Sequence, residues 1–226
     1  MIRAATAMYA MPESWADRQI QRMIGPDVIH PLATTHTHVA WQNPAMRLEC
    51  NLVRNIATRE DGFAVRIMPA VEPYYASVVI PLAPDGRLYL VGRYRYPIAR
   101  WSIEFPRFDF DSSDAGWQDA AQSDLRRATG LAAKRMNLLG AILIDPALMS
   151  TSTVVILAQG CTRARAKSPS SAAGGGGAPE IPSGIDELIA GLLAVPLVEL
   201  SELVERGEIA CGVTLAALSF YRARLR

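Results

Sequence analysis

The stretch that decides the fold is VVIPLAPDGRLYLVGRYRYP, residues 78–97, followed by WSIEFPR at residues 101–107. The strongly apolar run that starts at Tyr75 predicts a strand at the centre of a sheet. Asp85-Gly86 predicts a tight turn, because glycine accepts the backbone angles that hairpin turns require. The residues from Arg87 to Pro97 then predict a second strand that returns beside the first.

Working outward toward the N-terminus, residues 12–24 predict a short helix that ends at Gly25-Pro26. Residues 37–57 alternate apolar and polar side chains around Asn43-Pro44, which predicts two strands separated by a break. Asp61-Gly62 predicts a hairpin turn before a further strand at residues 63–69.

Toward the C-terminus, a helix is predicted from Gly116 to Thr129, with Gly130 in the position after its last turn. MNLLGAILI and TVVILAQG predict the next two strands, and LLAVPLVEL predicts another. SELVERG predicts a short helix capped by Ser201, and VTLAALSFYRARL predicts an apolar final helix. Strands, a helix, strands and a terminal helix together indicate an α/β sandwich.

Composition excludes several classes of protein. Lys and Arg number 23 and Asp and Glu 22, so the net charge of +1 argues against a broad nucleic-acid-binding surface. The three cysteines are far apart, which disfavours a zinc site or a disulfide framework and favours buried, reduced thiols. Neither a signal peptide nor a membrane span is predicted, so we expect a cytoplasmic protein without membrane association.

The single low-complexity segment is residues 162–184, which contains four consecutive glycines flanked by Ser, Ala and Pro. This composition predicts a flexible loop that packs little apolar surface. The glycine run lacks the Gly-Lys-Ser/Thr sequence of a phosphate-binding loop, so we interpret it as a linker.

The decisive stretch resembles the Nudix hydrolases, in particular the branch similar to ADP-ribose pyrophosphatases. In that family a strand ending in Tyr-Arg-Tyr-Pro leads to Glu-Leu-Pro-Ala-Gly; here these positions are residues 94–97 and residues 104–108. WQNPAMRLECNLV and the final helix resemble the two ends of the family domain. The resemblance implies a Nudix α/β/α sandwich with an N-terminal antiparallel strand extension. The resemblance covers roughly residues 36–226 and also implies a dimerising strand region over 35–72 and a Nudix-fold domain over 73–226, and so a homodimer. The helix predicted at residues 12–24 adds an N-terminal helical extension over residues 1–34.

The catalytic motif of that family, G-x5-E-x7-R-E-U-x-E-E-x-G-U with U aliphatic, is degenerate in this sequence. Aligning on Gly130 puts Asp124 at the first helical Glu, Arg127 and Ala128 at the paired glutamates, and Ala115 at the upstream Glu. Counting forward from Pro106 instead puts Asp114 at the upstream Glu. In either register the paired glutamates are lost.

Those glutamates matter because at helical spacing they share one face and bind divalent cations that bridge a pyrophosphate. Replacing two of them with Arg and Ala adds a positive charge beside the expected cation site. Two like charges ~4 Å apart repel by about 4 kcal/mol at an effective dielectric of 20. We therefore expect no resident metal and no cofactor.

The candidate ligand-binding residues are Arg95, Glu104 and Arg127, with Arg127 replacing the metal as a phosphate counter-charge. For each there is a simpler interpretation: a surface strand end for Arg95, a salt bridge to a nearby Arg for Glu104, and a solvated helix residue for Arg127. The residual catalytic candidates are Asp124, Glu104, Asp114 and Glu187.

Among the aromatic residues, Trp41, Tyr94, Tyr96 and Trp101 are expected in the core or in a dimer interface rather than against a base. His36 and His38 share one face of a strand but lack a third metal ligand.

The leading hypothesis is a Nudix-fold protein that binds a nucleotide or ADP-ribose-like ligand, or a protein partner, without hydrolysing it. A second hypothesis is a divergent pyrophosphohydrolase that acts on ADP-ribose or nucleoside-diphosphate derivatives and would need Mg²⁺. A third is an interaction protein whose pocket is vestigial.

Overall fold

The computed structural model describes residues 18–19, 22–23, 31–70, 75–110, 117–164 and 189–225. Its strands are β1 Leu32–Gln42, β2 Met46–Asn55, β3 Asp61–Pro69, β4 Tyr75–Leu82, β5 Leu88–Arg95, β6 Arg100–Glu104, β7 Arg107–Phe110, β8 Leu131–Ala132, β9 Arg135–Leu143, β10 Ser152–Gln159, β11 Thr162–Arg163 and β12 Ile189–Val195. The three long helices in these ranges are α1 Trp117–Thr129, α2 Leu197–Glu205 and α3 Gly212–Arg224, and a 3₁₀ turn spans Tyr96–Ile98.

The chain divides into two compact units. The first extends to Glu72 and includes Asp145–Ser150, and the second comprises Pro73–Ile144 and Thr151–Arg226. Mixed α/β architecture is confirmed, with a sheet in each unit and the long helices in the second.

The first unit contains an antiparallel sheet in the order β1-β2-β3. The break at Asn43 is confirmed: its side-chain oxygen accepts from the backbone N–H groups of Ala45 and Met46 at 2.8 and 2.7 Å. The turn predicted at Asp61-Gly62 is wrong, because both residues belong to β3. The chain reverses earlier, where the Asn55 side chain accepts from the N–H groups of Ala57 and Thr58 at 2.9 and 3.1 Å.

The two faces of this small sheet differ in chemistry. On one face, the buried Glu49 carboxylate pairs with Arg66 and Arg47, each at 2.7 Å. The hydrogen bond from Arg66, more than any other contact, lowers the pKa of Glu49. Residues paired across strands share a face. The other face is mostly apolar and exposes Trp41, Phe63 and Val65. Its cross-strand rows are Trp41, Leu48 and Ile67; His38, Cys50 and Val65; and His36, Leu52 and Phe63.

The second unit is built on a mixed sheet in the order β12-β5-β4-β10-β9. Strand β10 runs parallel to β4 and antiparallel to β9, while β12 runs antiparallel to β5. Alternating side chains of β4 face opposite sides. Val78 and Ile80 pack in a cluster with α3, and Val79 packs in a cluster with α1. The sheet is thus covered by α1 on one face and by α2 and α3 on the other.

Helix α1 is held by a narrow apolar face. Ala121 and Leu125 are fully buried, while most of its other residues are polar. The helix ends as expected at Gly130, whose φ of +68° favours glycine and whose N–H donates to the Arg126 carbonyl at 2.8 Å. The Asp85-Gly86 turn is also confirmed, with Gly86 at φ +84°.

The feature that positions the site is a wedge, which we define as residues 104–107 between β6 and β7. Strands β4 and β5 pair only at Leu82 and Leu88 and then diverge. Strand β12 pairs with the outer edge of β5, and β10 pairs with the outer edge of β4. The opening between β4 and β5 is therefore filled by β6, which pairs with β5, and by β7, which pairs with β4. The wedge is fixed on both sides: Val79 N–H donates to Pro106 O at 2.9 Å, and Phe105 N–H donates to Thr214 Oγ1 at 3.0 Å.

The C-terminal region requires two corrections. The strand predicted through residue 200 stops at Val195, because Pro196 provides the extended residue before α2, which begins at Leu197. Ser201 is therefore inside α2, where its hydroxyl donates to the Leu197 carbonyl at 2.8 Å, and it does not cap the helix. The final apolar helix is confirmed as α3.

Several sequence predictions lie outside the described residues. Of the helix predicted over residues 12–24, residues 18–19 and 22–23 are described, and they are helical. Asp114, Ala115 and Glu187 are not described, and neither is the predicted flexible loop beyond residue 164. The start of that loop, Thr162–Arg163, forms β11 and pairs with β8.

The three thiols are free, but burial is confirmed only for Cys161, whose pKa is raised to about 11 by that burial. Cys50 and Cys211 are half-buried. No helix within the described ranges is long and apolar enough to cross a membrane.

We predict that Thr214→Val lowers the free energy of unfolding by about 1–3 kcal/mol, because it leaves the Phe105 N–H without its acceptor. Thr153→Val is the matched control. Thr153 is fully buried, and among the described residues its hydroxyl oxygen has no hydrogen-bond partner. The control should be neutral or stabilising in urea unfolding. Equal losses in both variants would show that the Thr214 contact does not hold the wedge.

Candidate functional site

A cavity of about 280 Å³ opens beside the wedge in the second unit. Its described lining comes from the end of β5, the 3₁₀ turn, β6, the start of β7 and the residue before α3: Arg95, Pro97, Ile98, Ser102, Glu104, Arg107 and Cys211. The volume is just below the range typical of small-molecule sites. It therefore suits one end of an extended ligand.

The strongest interaction in the cavity is the ion pair between Arg95 and Glu104. Arg95 Nε and Nη2 donate to the two carboxylate oxygens at 2.8 and 2.6 Å, a bidentate arrangement. The Glu104 side chain is 1% exposed and that of Arg95 is 31% exposed. A carboxylate buried this deeply needs such a partner, since desolvation disfavours an isolated charge. The salt-bridge interpretation of Glu104 is thus confirmed.

The register of β5 and β6 explains why these polar groups come together. Val91 pairs with Glu104, Arg93 with Ser102 and Arg95 with Arg100. Residues paired across strands lie on one face, so this face of the hairpin carries alternating charged and hydroxyl groups. Sequence alternation alone could have indicated this polar row.

Two further arginines bring positive charge to the wedge. Arg107 lines the cavity and is half-buried. The buried Arg93 donates through Nη1 to the Arg107 backbone carbonyl at 3.4 Å. Counting the ionisable side chains of the described lining, two guanidinium groups and one carboxylate leave a net positive charge. The cavity consequently favours an anionic ligand.

Cys211 is a lining residue that sequence analysis did not identify. Its sulfur lies 3.7 Å from Glu104 Oε2, and the two residues are 107 positions apart in the chain. Three residues later, Thr214 accepts the hydrogen bond from Phe105. The start of α3 is therefore part of the cavity wall.

Of the four aromatic residues expected in the core or in a dimer interface, three are exposed and therefore lie outside the core, while the interface alternative stays a prediction. Tyr96 is 84% exposed and Trp101 is 53% exposed, while in the first unit Trp41 is 52% exposed. Tyr94 packs edge-on against Trp101, with ring centroids 5.7 Å apart. Because Tyr94 and Trp101 pair across β5 and β6, they occupy the face opposite to Arg95 and Ser102.

The box residues on α1 form a separate pair. Arg127 donates to Asp124 at 2.9 Å; its side chain is 62% exposed and that of Asp124 is 16% exposed. Neither belongs to the described cavity lining. Ala128 packs half-buried against the apolar cluster under α1. Thus the structure brings Arg95 and Glu104 together in the cavity and joins Asp124 to Arg127 on the helix.

The described box positions offer a Mg²⁺ ion one carboxylate, that of Asp124. Magnesium prefers several hard oxygen ligands, but Asp124 is engaged by a cation and the neighbouring box positions carry Arg127 and Ala128. In the part of the chain that the structure describes, no group of three His, Cys, Asp or Glu side chains could hold a metal ion.

Comparison with known proteins identifies the fold. No protein-family profile and no curated protein sequence matches the chain. Among solved structures, the chain is similar to an ADP compounds hydrolase, with a TM-score of 0.68 and 15% sequence identity. That match covers 88% of this chain and 97% of the other. The likeness shows a mixed α/β, Nudix-like fold.

We predict that Glu104→Gln lowers the free energy of unfolding by about 2–4 kcal/mol, because it leaves the Arg95 guanidinium without its buried counter-charge. Solvent at Arg95 moderates the effect. The double variant Arg95→Gln/Glu104→Gln should lose less than the sum of the single losses. All variants are compared by urea unfolding. The exposed pair Arg54–Asp61 in the first unit is the control, and its coupling free energy should be smaller. Additive losses at Arg95 and Glu104 would contradict a stabilising pair.

Proposed function

We propose that this protein binds a nucleotide-like ligand with a diphosphate group, such as ADP-ribose, in the wedge cavity and does not hydrolyse it. The observation that carries the proposal is the charge of the cavity. Arg95 and Arg107 line it together with one carboxylate, Glu104, which is already paired with Arg95. A concave site with net positive charge attracts a phosphate-bearing molecule.

The fold and the activity for which its structural neighbour is named support a ligand of this class. The similar solved structure is described as an ADP compounds hydrolase, and ADP compounds contain a diphosphate. Its identity of 15% to this chain is too low to transfer activity. The ligand class is therefore inferred from that likeness, and the binding chemistry is inferred from the residues of this cavity.

Absence of hydrolysis is proposed from what occupies the box positions. Metal-dependent cleavage of a pyrophosphate requires carboxylates that hold cations against it. Here the helix offers Asp124 in an ion pair with Arg127, and Ala128 supplies no oxygen. A cation approaching Asp124 would meet the charge of Arg127, which raises the free energy of binding.

Each proposed ligand-binding residue has a distinct role. Arg95 contacts the ligand from its exposed edge, and Glu104 is a positioning residue that fixes the Arg95 guanidinium through two hydrogen bonds. Arg127 is a second proposed counter-charge, for which Asp124 is the competing partner.

We also propose a homodimer that covers the apolar face of the first unit's sheet. On that face Phe63 is 87%, Trp41 52% and Val65 44% exposed. Contiguous exposed apolar side chains favour association, and two-fold pairs are the commonest assemblies. Sedimentation should give a dimer at micromolar concentration, and Phe63→Glu should shift it toward monomer. A monomeric wild type would contradict this assembly.

We predict that the purified full chain turns over ADP-ribose, NADH and nucleotide sugars at the background rate, with either Mg²⁺ or Mn²⁺ present. The reason is that Arg127 and Ala128 stand where metal-binding glutamates are expected. Product formation measured by chromatography checks this, with binding of the same compounds measured by calorimetry.

Metal-dependent turnover that Asp124→Asn abolishes would contradict the proposal. It would favour instead a divergent hydrolase that uses Glu104, Asp124, Asp114 and a carboxylate near Glu187.

A further inference from the structure

We infer that Arg107 is the residue that binds the ligand's diphosphate and supplies the positive charge that a metal ion would otherwise provide. The inference rests on the proposed function and assigns a specific group within the same cavity. Within that cavity it makes Arg107, rather than Arg127 on the box helix, the main contact for the diphosphate.

Arg107 is better placed than Arg127 to contact a ligand in the cavity. Arg107 is the first residue of β7 and directly follows Pro106 of the wedge. It lines the cavity. Arg127 by contrast is 62% exposed on α1 and does not belong to the described lining. An arginine that is half-buried in a concave site interacts with a phosphate more strongly than one screened by water.

The two arginines of the described lining, Arg95 and Arg107, differ in the contacts that they make with carboxylates. Arg95 already directs two of its N–H donors to Glu104. Within the described residues, no carboxylate lies within ion-pair distance of the Arg107 guanidinium. Its planar set of donors matches the oxygens of a phosphate, so it can bind two of them at once.

Two contacts hold the backbone of Arg107 in place. Its carbonyl accepts a hydrogen bond from the buried Arg93 at 3.4 Å, and the residue pairs with Val78 of the central strand β4. A side chain that projects from such a backbone loses less freedom on binding than one on a loop. Arg93 also contributes positive charge behind the cavity wall.

The sequence itself marks this position as unusual. The segment Glu104–Phe108 resembles a family pattern in which a small residue follows the proline, and here that residue is Arg107. The same chain carries Arg127 and Ala128 at the positions of two box glutamates. The cavity wall thus carries a cation in a chain whose paired box positions hold no glutamate.

The ligand class follows from this chemistry. The Arg107 guanidinium lines a cavity of about 280 Å³ and favours a phosphate or diphosphate group there. The rest of the ligand would extend outward from the cavity. Binding should need no divalent cation. It should also weaken as salt concentration rises, because screening reduces charge attraction.

The test measures binding of ADP-ribose, inorganic pyrophosphate and adenosine to the full chain by calorimetry with EDTA present. We expect Arg107→Ala to weaken binding of both phosphate compounds at least about tenfold, which corresponds to about 1.4 kcal/mol. Arg107→Lys should give an intermediate affinity, because it keeps the charge but loses the two-point contact. Arg135→Ala, an exposed arginine on β9 outside the described lining, is the matched control and should bind as wild type. Adenosine, which has no phosphate, should not depend on Arg107.

The outcomes separate this inference from the proposed function. Binding of ADP-ribose that Arg107→Ala leaves unchanged, or that EDTA abolishes, would overturn the role of Arg107 and leave the ligand class standing. Binding of pyrophosphate through Arg107 without binding of ADP-ribose would overturn the nucleotide-like ligand and support the anion site. If the wild type binds neither compound while its melting temperature shows a folded protein, both are wrong.

Discussion

The site depends on the divergence of two strands and on the segment that fills the gap. After one pair of residues, β4 and β5 separate, and the chain returns between them as β6 and β7. Pro106 stands at the crossover, where the missing N–H removes no hydrogen bond from either ladder and the carbonyl still accepts from Val79. Phe105 is fully buried beside it. Because both ends are paired to central strands, Glu104 and Arg107 project from a rigid backbone.

This arrangement gives the cavity its electrostatics. Burying Glu104 requires a counter-charge, and Arg95 supplies it with a bidentate contact. That pair is close to neutral, so Arg107 determines the net charge of the lining. On the box helix, Asp124 forms an ion pair with Arg127, and neither residue belongs to the described lining of the cavity. The charges that favour an anion in the cavity and the residues at the described box positions therefore lie on different elements.

Much of the fold could be predicted from local patterns. The Asp85-Gly86 turn, the break at Asn43 and the end of α1 at Gly130 each follow from the backbone angles or hydrogen bonds that those residues favour. The turn before β3 lies six residues before Asp61, where the Asn55 side chain accepts from the backbone, a contact that the Asp-Gly signal does not report. Pro196 fits the strand pattern of its neighbours, but its extended backbone also suits the residue before α2.

The site was predicted only in part. Arg95 and Glu104 were identified because they belong to a recognisable motif, but their mutual ion pair depends on the register of β5 and β6. Cys211 and Thr214 reach the wedge from more than 100 residues away, and no local pattern reports such contacts. The importance of Arg107 depends on the cavity, which exists only once β6 and β7 enter the sheet.

The most direct test of a metal-independent diphosphate site is a crystal structure of the full chain soaked with ADP-ribose and Mn²⁺. The account predicts that the diphosphate lies within hydrogen-bond distance of the Arg107 guanidinium, beside an intact Arg95–Glu104 pair, with no anomalous Mn²⁺ peak at Asp124. A Mn²⁺ ion bound to Asp124 and bridging the diphosphate would contradict it.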